Sequence, residues 1–168
     1  MNLEQLYQNV YEKPADDARR RVLADALLER GDPRGELIVL QFQTHALARK
    51  RAKKLIERYR SHFLGPLSDV VLHGSDEWER GFLAGCCARL SGGTVDCPAW
   101  ATVKRLHVVG GGALEPAELA SRWMRSLNEV RVLYESDNFW QRQHGLQAVR
   151  TRLVGVLERA NRLRLLKS

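Results

Sequence analysis

Cys86, Cys87, Cys97 and His107 are the residues whose types permit nucleophilic or metal chemistry in this chain. Zinc is usually held by cysteine pairs two residues apart, each thiolate turned to its own vertex of a tetrahedron. Cys86 and Cys87 are adjacent and cannot easily both reach one ion. A Cys–His nucleophile needs a third group to orient the imidazole and a donor for the developing oxyanion. The sequence marks neither. The expectation is three reduced thiols packed as small hydrophobes, with no catalytic residue, no metal and no cofactor.

Two further constellations carry a possible chemistry. Gly110-Gly111-Gly112 precedes an apolar helical pattern, whose first N–H groups would suit a phosphate. It lacks both the G-x-G-x-x-G spacing and the Lys-Ser/Thr of a P-loop, so a tight turn explains it equally well. Asp25 sits between apolar positions near Arg20 and Arg21, and is expected to form a structural ion pair that fixes helix docking.

The strongest electrostatic feature is RKRAKKLIERYR, Arg49 to Arg60. Arg49, Lys50, Lys53, Lys54 and Arg58 form a basic patch on one helix. With Tyr59 as its single aromatic, the stretch offers no platform for stacking bases, and it contains no recognition-helix pattern. The formal net charge of +7 suits an acidic partner. A protein with an acidic surface is the first expectation, and nucleic acid held loosely by the helix over 47–63 is the alternative.

Composition sets the frame for these residues. Hydrophobic residues make up 44% and charged residues 28%, ordinary values for an ordered globular chain of 168 residues. No apolar run approaches the roughly 20 residues of a membrane span. The N-terminus reads as no export signal. Three cysteines, an odd count with two adjacent, do not make a disulfide framework. Together these point to a reduced, bacterial-type cytoplasm.

The first half reads as helices. Leu3, Leu6, Tyr7, Val10 and Tyr11 recur at helical spacing over residues 2–12, and Pro14 ends that run. Asp16 or Asp17 caps a second helix with Ala18, Val22, Leu23, Ala26 and Leu27 on its apolar face. Gly31 closes that helix, Asp32 caps the next and Pro33 occupies its first turn, leaving Arg34 and Glu36 for ion pairs or caps across the joint. The third helix is expected over 33–46, burying Leu37, Ile38, Leu40, Phe42 and His45. The fourth, over 47–63, has Ala48, Ala52, Leu55, Ile56, Tyr59 and Phe63 in one stripe. Gly65-Pro66 ends this half.

The second half changes period. Glu79 to Leu90 reads as one strand. VKRLHVV, LNEVRVL and ANRLRLL begin at residues 103, 127 and 160, which are 24 and 33 residues apart. All three follow apolar-x-x-apolar-x-apolar-apolar. Helical patterns over 116–126 and 146–159 lie between them. Strand–helix–strand at this period indicates a leucine-rich-repeat-like solenoid.

DDARRRVLADALLERGDPRGELIVLQ, Asp16 to Gln41, resembles the repeat-companion domain found at the N-terminus of many bacterial leucine-rich-repeat-like proteins. The features that carry the resemblance are Asp16-Asp17, Arg20, Ala24-Asp25, Glu29 to Glu36, and Leu40-Gln41. Glu77-Trp78-Glu79-Arg80-Gly81-Phe82 is similar to the segment that precedes the repeats in that family. Ala26 stands where the family usually has an aromatic. The resemblance implies a helical cap on a repeat domain and a role in protein–protein binding, with no enzymatic activity.

The expected fold is therefore α+β, with a helical cap over 1–66 and a short leucine-rich-repeat-like β/α solenoid over 67–168. If the three segments stack in register, Leu106, Val130 and Leu163 form one buried column, and Val108, Val132 and Leu165 another. His107, Arg131 and Arg164 then share an outward row, with Arg105, Glu129 and Arg162 beside it. Those six residues are the candidate site for a partner's carboxylates, since arginine can pair with them in bidentate fashion.

Overall fold

A computed structural model describes residues 2–89, 96–109, 123–134 and 147–149. The fold is α+β. Helices α1 (Leu3–Glu12), α2 (Asp17–Leu28), α3 (Pro33–Phe42) and α4 (Ala46–Leu64) precede a sheet of β1 (Glu77–Glu79), β2 (Phe82–Arg89), β3 (Arg105–Val109), β4 (Glu129–Tyr134) and β5 (Gln147–Val149). Each helix starts on a polar side chain that accepts from one of its orphan N–H groups. Asn2 caps α1, Asp16 caps α2, Asp32 caps α3 and His45 caps α4. The third helix thus stops at Phe42, short of the expected Ala46. His45 leaves the apolar stripe because its Nδ1 accepts from Ala48 N at 3.1 Å.

The inner face of α2 also differs from expectation. Arg20, Leu23, Ala24 and Leu27 are buried, while Ala18, Val22 and Asp25 are exposed. The charge inside the protein is Arg20, and Asp25, one step further round the helix, faces outward. A buried Asp25 ion pair is excluded.

The stretch expected as one strand is a hairpin. Arg80 and Gly81 both have positive φ, 50° and 83°, the pattern of a two-residue primed turn, so Glu77–Glu79 folds back on β2. Strands β2, β3 and β4 are parallel, and β5 pairs antiparallel with β4. Residues 147–149 are therefore strand where a helix over 146–159 is expected. Three residues are too few for periodicity to decide, and the edge of β4 supplies backbone partners. The segment at 160–166 and the triple glycine lie outside the described residues.

The core forms where the helices meet the hairpin. Leu6, Val10, Leu23, Leu27 and Ile38 pack around Phe82, while Leu37, Leu40, Ala48, Ala52 and Phe63 pack against Trp78. A third cluster joins Leu64, Leu67 and Trp100 to Cys86, Leu106, Val108 and Val130 of the sheet.

Arginines fasten these layers. Arg20 is 3% exposed and donates to the carbonyls of Pro14, Glu79 and Arg80. Arg34 is 8% exposed and donates to Gly81 O at 2.9 Å and Phe63 O at 2.5 Å. A cation in a first helical turn opposes the macrodipole, so the position of Arg34 answers to the carbonyls it must reach. Gln41 completes the clamp, accepting from Gly81 N at 2.6 Å and donating to Trp78 O at 3.2 Å. Glu36 turns instead to Arg51, 2.5 Å away on α4.

Arg60 ties α4 to the start of β1. Its Nε lies 2.9 Å from Asp76, whose other oxygen accepts from Trp78 Nε1 at 2.7 Å. Burial alone would raise the Asp76 carboxyl, but the hydrogen bonds from Trp78 and Arg60 outweigh it and hold the group below its usual range. Glu79 is lowered as well, chiefly by its hydrogen bond from Lys104. Folded values below unfolded ones mean that stability is fully present above the ordinary carboxylate pKa, near 4. It is lost as pH falls through the depressed folded values. Urea midpoints are expected to drop as pH falls below about 4. Asp76→Asn should lower the midpoint at neutral pH and flatten that acid slope; an unchanged slope would remove Asp76 from the account.

Candidate functional site

Strand alternation sends Leu106, Val108 and Val130 into the core, and their neighbours to the opposite face. On that outer face Arg105 stands beside Glu129 and His107 beside Arg131, the register expected from the repeated segments. Four of the six candidate residues thus come together. Arg162 and Arg164 lie outside the described residues.

The hairpin adds a column that the repeats do not reveal. Gly85 pairs with Arg105, Cys87 with His107, and Glu77 with Gly85. A Cβ on Gly85 would stand 2.8 Å from Glu77 Oε2, and without one the carboxylate reaches across to Arg105 Nε at 3.0 Å. On the other side Glu129 takes Arg131 Nε at 2.7 Å. Of the four arginines expected to receive a partner's carboxylates, the two described ones, Arg105 and Arg131, already hold one from this chain. Glu77, Arg105, Glu129 and Arg131 sum to zero charge. Arg105, Glu77 and Arg131 are well exposed, and such pairs contribute only about 0–1 kcal/mol each, so an incoming acid can compete for them.

The same row corrects the reading of the thiols. Cys86 and Cys97 are buried among apolar side chains, and burial pushes the Cys86 thiol up to about 12. Cys87 is half-buried on the outer face, with its Sγ 3.7 Å from His107 Nδ1. Beyond the imidazole, Glu129 Oε1 lies 3.8 Å from Nε2. A carboxylate within ion-pair distance of the histidine is therefore present. It went unmarked because it sits one strand away and two positions off the His107 pairing partner. Among the described residues no group of three or more His, Cys, Asp or Glu is arranged to hold a metal ion.

The second candidate surface is α4. Arg49, Lys50, Lys53, Lys54 and Arg58 are all exposed. The helix carries seven arginines and lysines against the single acid Glu57, a surplus of six. Arg51 and Arg60 are occupied by Glu36 and Asp76, and Lys53 lies 4.0 Å from Glu57. Alongside runs a groove of about 700 Å³ lined by the apolar Leu40, Ala52, Ile56 and Trp78, by Arg49, Lys53 and Arg80, and by Glu57, Asp76 and Glu79.

Among the described residues no helix is long and apolar enough to cross a membrane. In comparisons with known proteins, no family model, curated protein or solved structure matches the chain.

Proposed function

We propose that the chain is a non-enzymatic interaction module that binds an acidic protein surface, with α4 as its landing face. The observation that carries this reading is that, among the described residues, α4 gathers seven arginines and lysines against one acid, while Arg105 and Arg131 on the sheet face are compensated by Glu77 and Glu129. The apolar floor beside α4 favours a protein over a nucleic acid, because an acidic segment bearing one apolar side chain gains from both features. The sheet face is a second, weaker contact surface in this reading.

The parallel pairing of β2, β3 and β4 supports a short leucine-rich-repeat-like solenoid over 67–168. The engagement of Arg20, Arg34 and Gln41 with residues 78–81 supports a helical cap of the repeat-companion type over 1–66. It gives a physical task to the residues on which that resemblance rests.

Charge reversal on α4 is the test. Replacing Arg49, Lys50, Lys53 and Lys54 by Glu should change folding stability by about 0.5 kcal/mol per site or less, because all four are exposed. The variant should lose a partner that the unmodified chain captures from native lysate after nuclease treatment. Capture that disappears with nuclease alone would favour the second reading, nucleic acid held through phosphates. That mode predicts micromolar or weaker affinity, no sequence preference and a steep loss with salt. Undiminished capture by the four-fold variant would eliminate α4 as the landing face.

A further inference from the structure

We propose that Cys87 is a thiol-exchange site, at which His107 acts as base and Glu129 orients it, taking an anionic low-molecular-weight disulfide of the glutathione type. Three parallel strands build the arrangement. Cys87 on β2 pairs with His107 on β3, and Glu129 on β4 lies diagonally beyond. The 3.7 Å approach of Sγ to Nδ1 and the 3.8 Å approach of Nε2 to Glu129 put thiol, imidazole and carboxylate in sequence. With Nε2 protonated toward Glu129, Nδ1 is the acceptor that faces the thiol. Arg131 Nε, 2.7 Å from Glu129 Oε1, holds that carboxylate in place, so a negative charge stands beside the imidazolium formed when the thiol proton moves.

The other surroundings of Cys87 fit a thiol that rests protonated and reacts through its base. Its backbone N donates to Ser75 Oγ at 3.0 Å, which fixes the strand beside it. Burial raises the Cys87 thiol above its ordinary value, opposed in part by the Ser75 hydroxyl and aided by Glu77, so a neighbouring acceptor matters more. Arg105 and Arg131 stand on the same face as exposed cations, and their ion pairs are weak enough to yield to the carboxylates of an anionic disulfide.

The step balances without any further reagent. Cys87 Sγ attacks one sulfur of the disulfide as its proton passes to His107 Nδ1. The Sγ–S bond forms, the S–S bond of the small molecule breaks, and its electron pair leaves on the released thiolate, which takes the proton from His107. Cys87 is oxidised to a mixed disulfide, and the leaving half of the reagent is reduced to a thiol.

The molecule supplies its own controls, because Cys86 and Cys97 are buried. The folded chain is incubated with oxidised glutathione, and mass spectrometry follows each cysteine with time. Cys87 should be modified first, Cys86 and Cys97 should lag, and dithiothreitol should restore the free thiol. His107→Asn should slow Cys87 modification by about tenfold or more, the lower range for loss of a general base. Glu129→Gln should slow it severalfold while Cys86 stays protected, which separates loss of orientation from loss of fold. Equal rates at Cys87 and Cys97 would overturn the proposal. So would a Cys87 rate unaffected by both substitutions, measured with oxidised glutathione and again with iodoacetamide.

Discussion

Arg34→Ala is expected to cost about 3–5 kcal/mol, because hydrogen bonds from a charged donor contribute roughly 1.5–3 kcal/mol each and two buried carbonyls lose their partner. The guanidinium is 8% exposed, donates to Gly81 O and Phe63 O, and lies over the rings of Tyr7, Phe63 and Phe82. Truncation therefore also opens a void lined by three aromatics. Against a domain stability of about 5–15 kcal/mol, the loss should appear as a large shift of the urea midpoint. Arg34→Lys keeps the charge but not the planar fork, and should recover only part of the loss, since one ammonium cannot match both carbonyl directions. A wild-type midpoint for Arg34→Ala would mean that the two carbonyls are satisfied by other means.

Gly81→Ala should be comparably damaging, for two separable reasons. The residue has φ of 83°, and an added Cβ would fall far inside van der Waals contact distance of Ile38 Cγ1 on α3. The backbone component costs about 1–2 kcal/mol for a non-glycine residue in the left-handed region. Overpacking adds typically another 1–3 kcal/mol. Ile38→Ala is destabilising alone, because Ile38 is fully buried. Combined with Gly81→Ala it should show a favourable coupling, the double variant being more stable than the sum of the singles implies. Strict additivity, measured by urea unfolding of all four proteins, would show that the hairpin turn does not bear on α3 at this point.

The parts of the fold that depend on local chemistry were legible. Helix starts at Asp16 and Asp32, the stop at Gly31, and the pairing of residues 105–109 with 129–133 all follow from capping preferences or from strand alternation. What stayed hidden depends on contacts between distant segments. Arg20 reads as one more surface cation in a run of three arginines, because no local rule reveals carbonyls at residues 79 and 80 as its acceptors. Arg80-Gly81 lacks the usual Asn-Gly signature of a two-residue turn, so Glu79 to Leu90 reads as one strand. The candidate site was half legible for the same reason. The repeated segments place Arg105, His107, Glu129 and Arg131 on one face, whereas Cys87 and Glu77 join them only once β1 and β2 are known to flank β3.

The hairpin that receives Arg20 and Arg34 also bears on the rate at which the chain folds. Those hydrogen bonds join residues 60 and 47 positions apart, whereas the helices themselves close over four. Bringing such distant ends together costs chain entropy before any of the bonds forms, and rates fall as the mean separation of contacting residues rises. The helices of this protein can therefore form quickly, while their mutual placement waits for a turn lying well downstream. During synthesis on a ribosome, α1 to α4 leave the exit before the carbonyls of Glu79, Arg80 and Gly81, which Arg20 and Arg34 need besides Pro14 and Phe63. The nascent chain carries two half-satisfied guanidinium groups and an open apolar seam until residue 82 has cleared the exit.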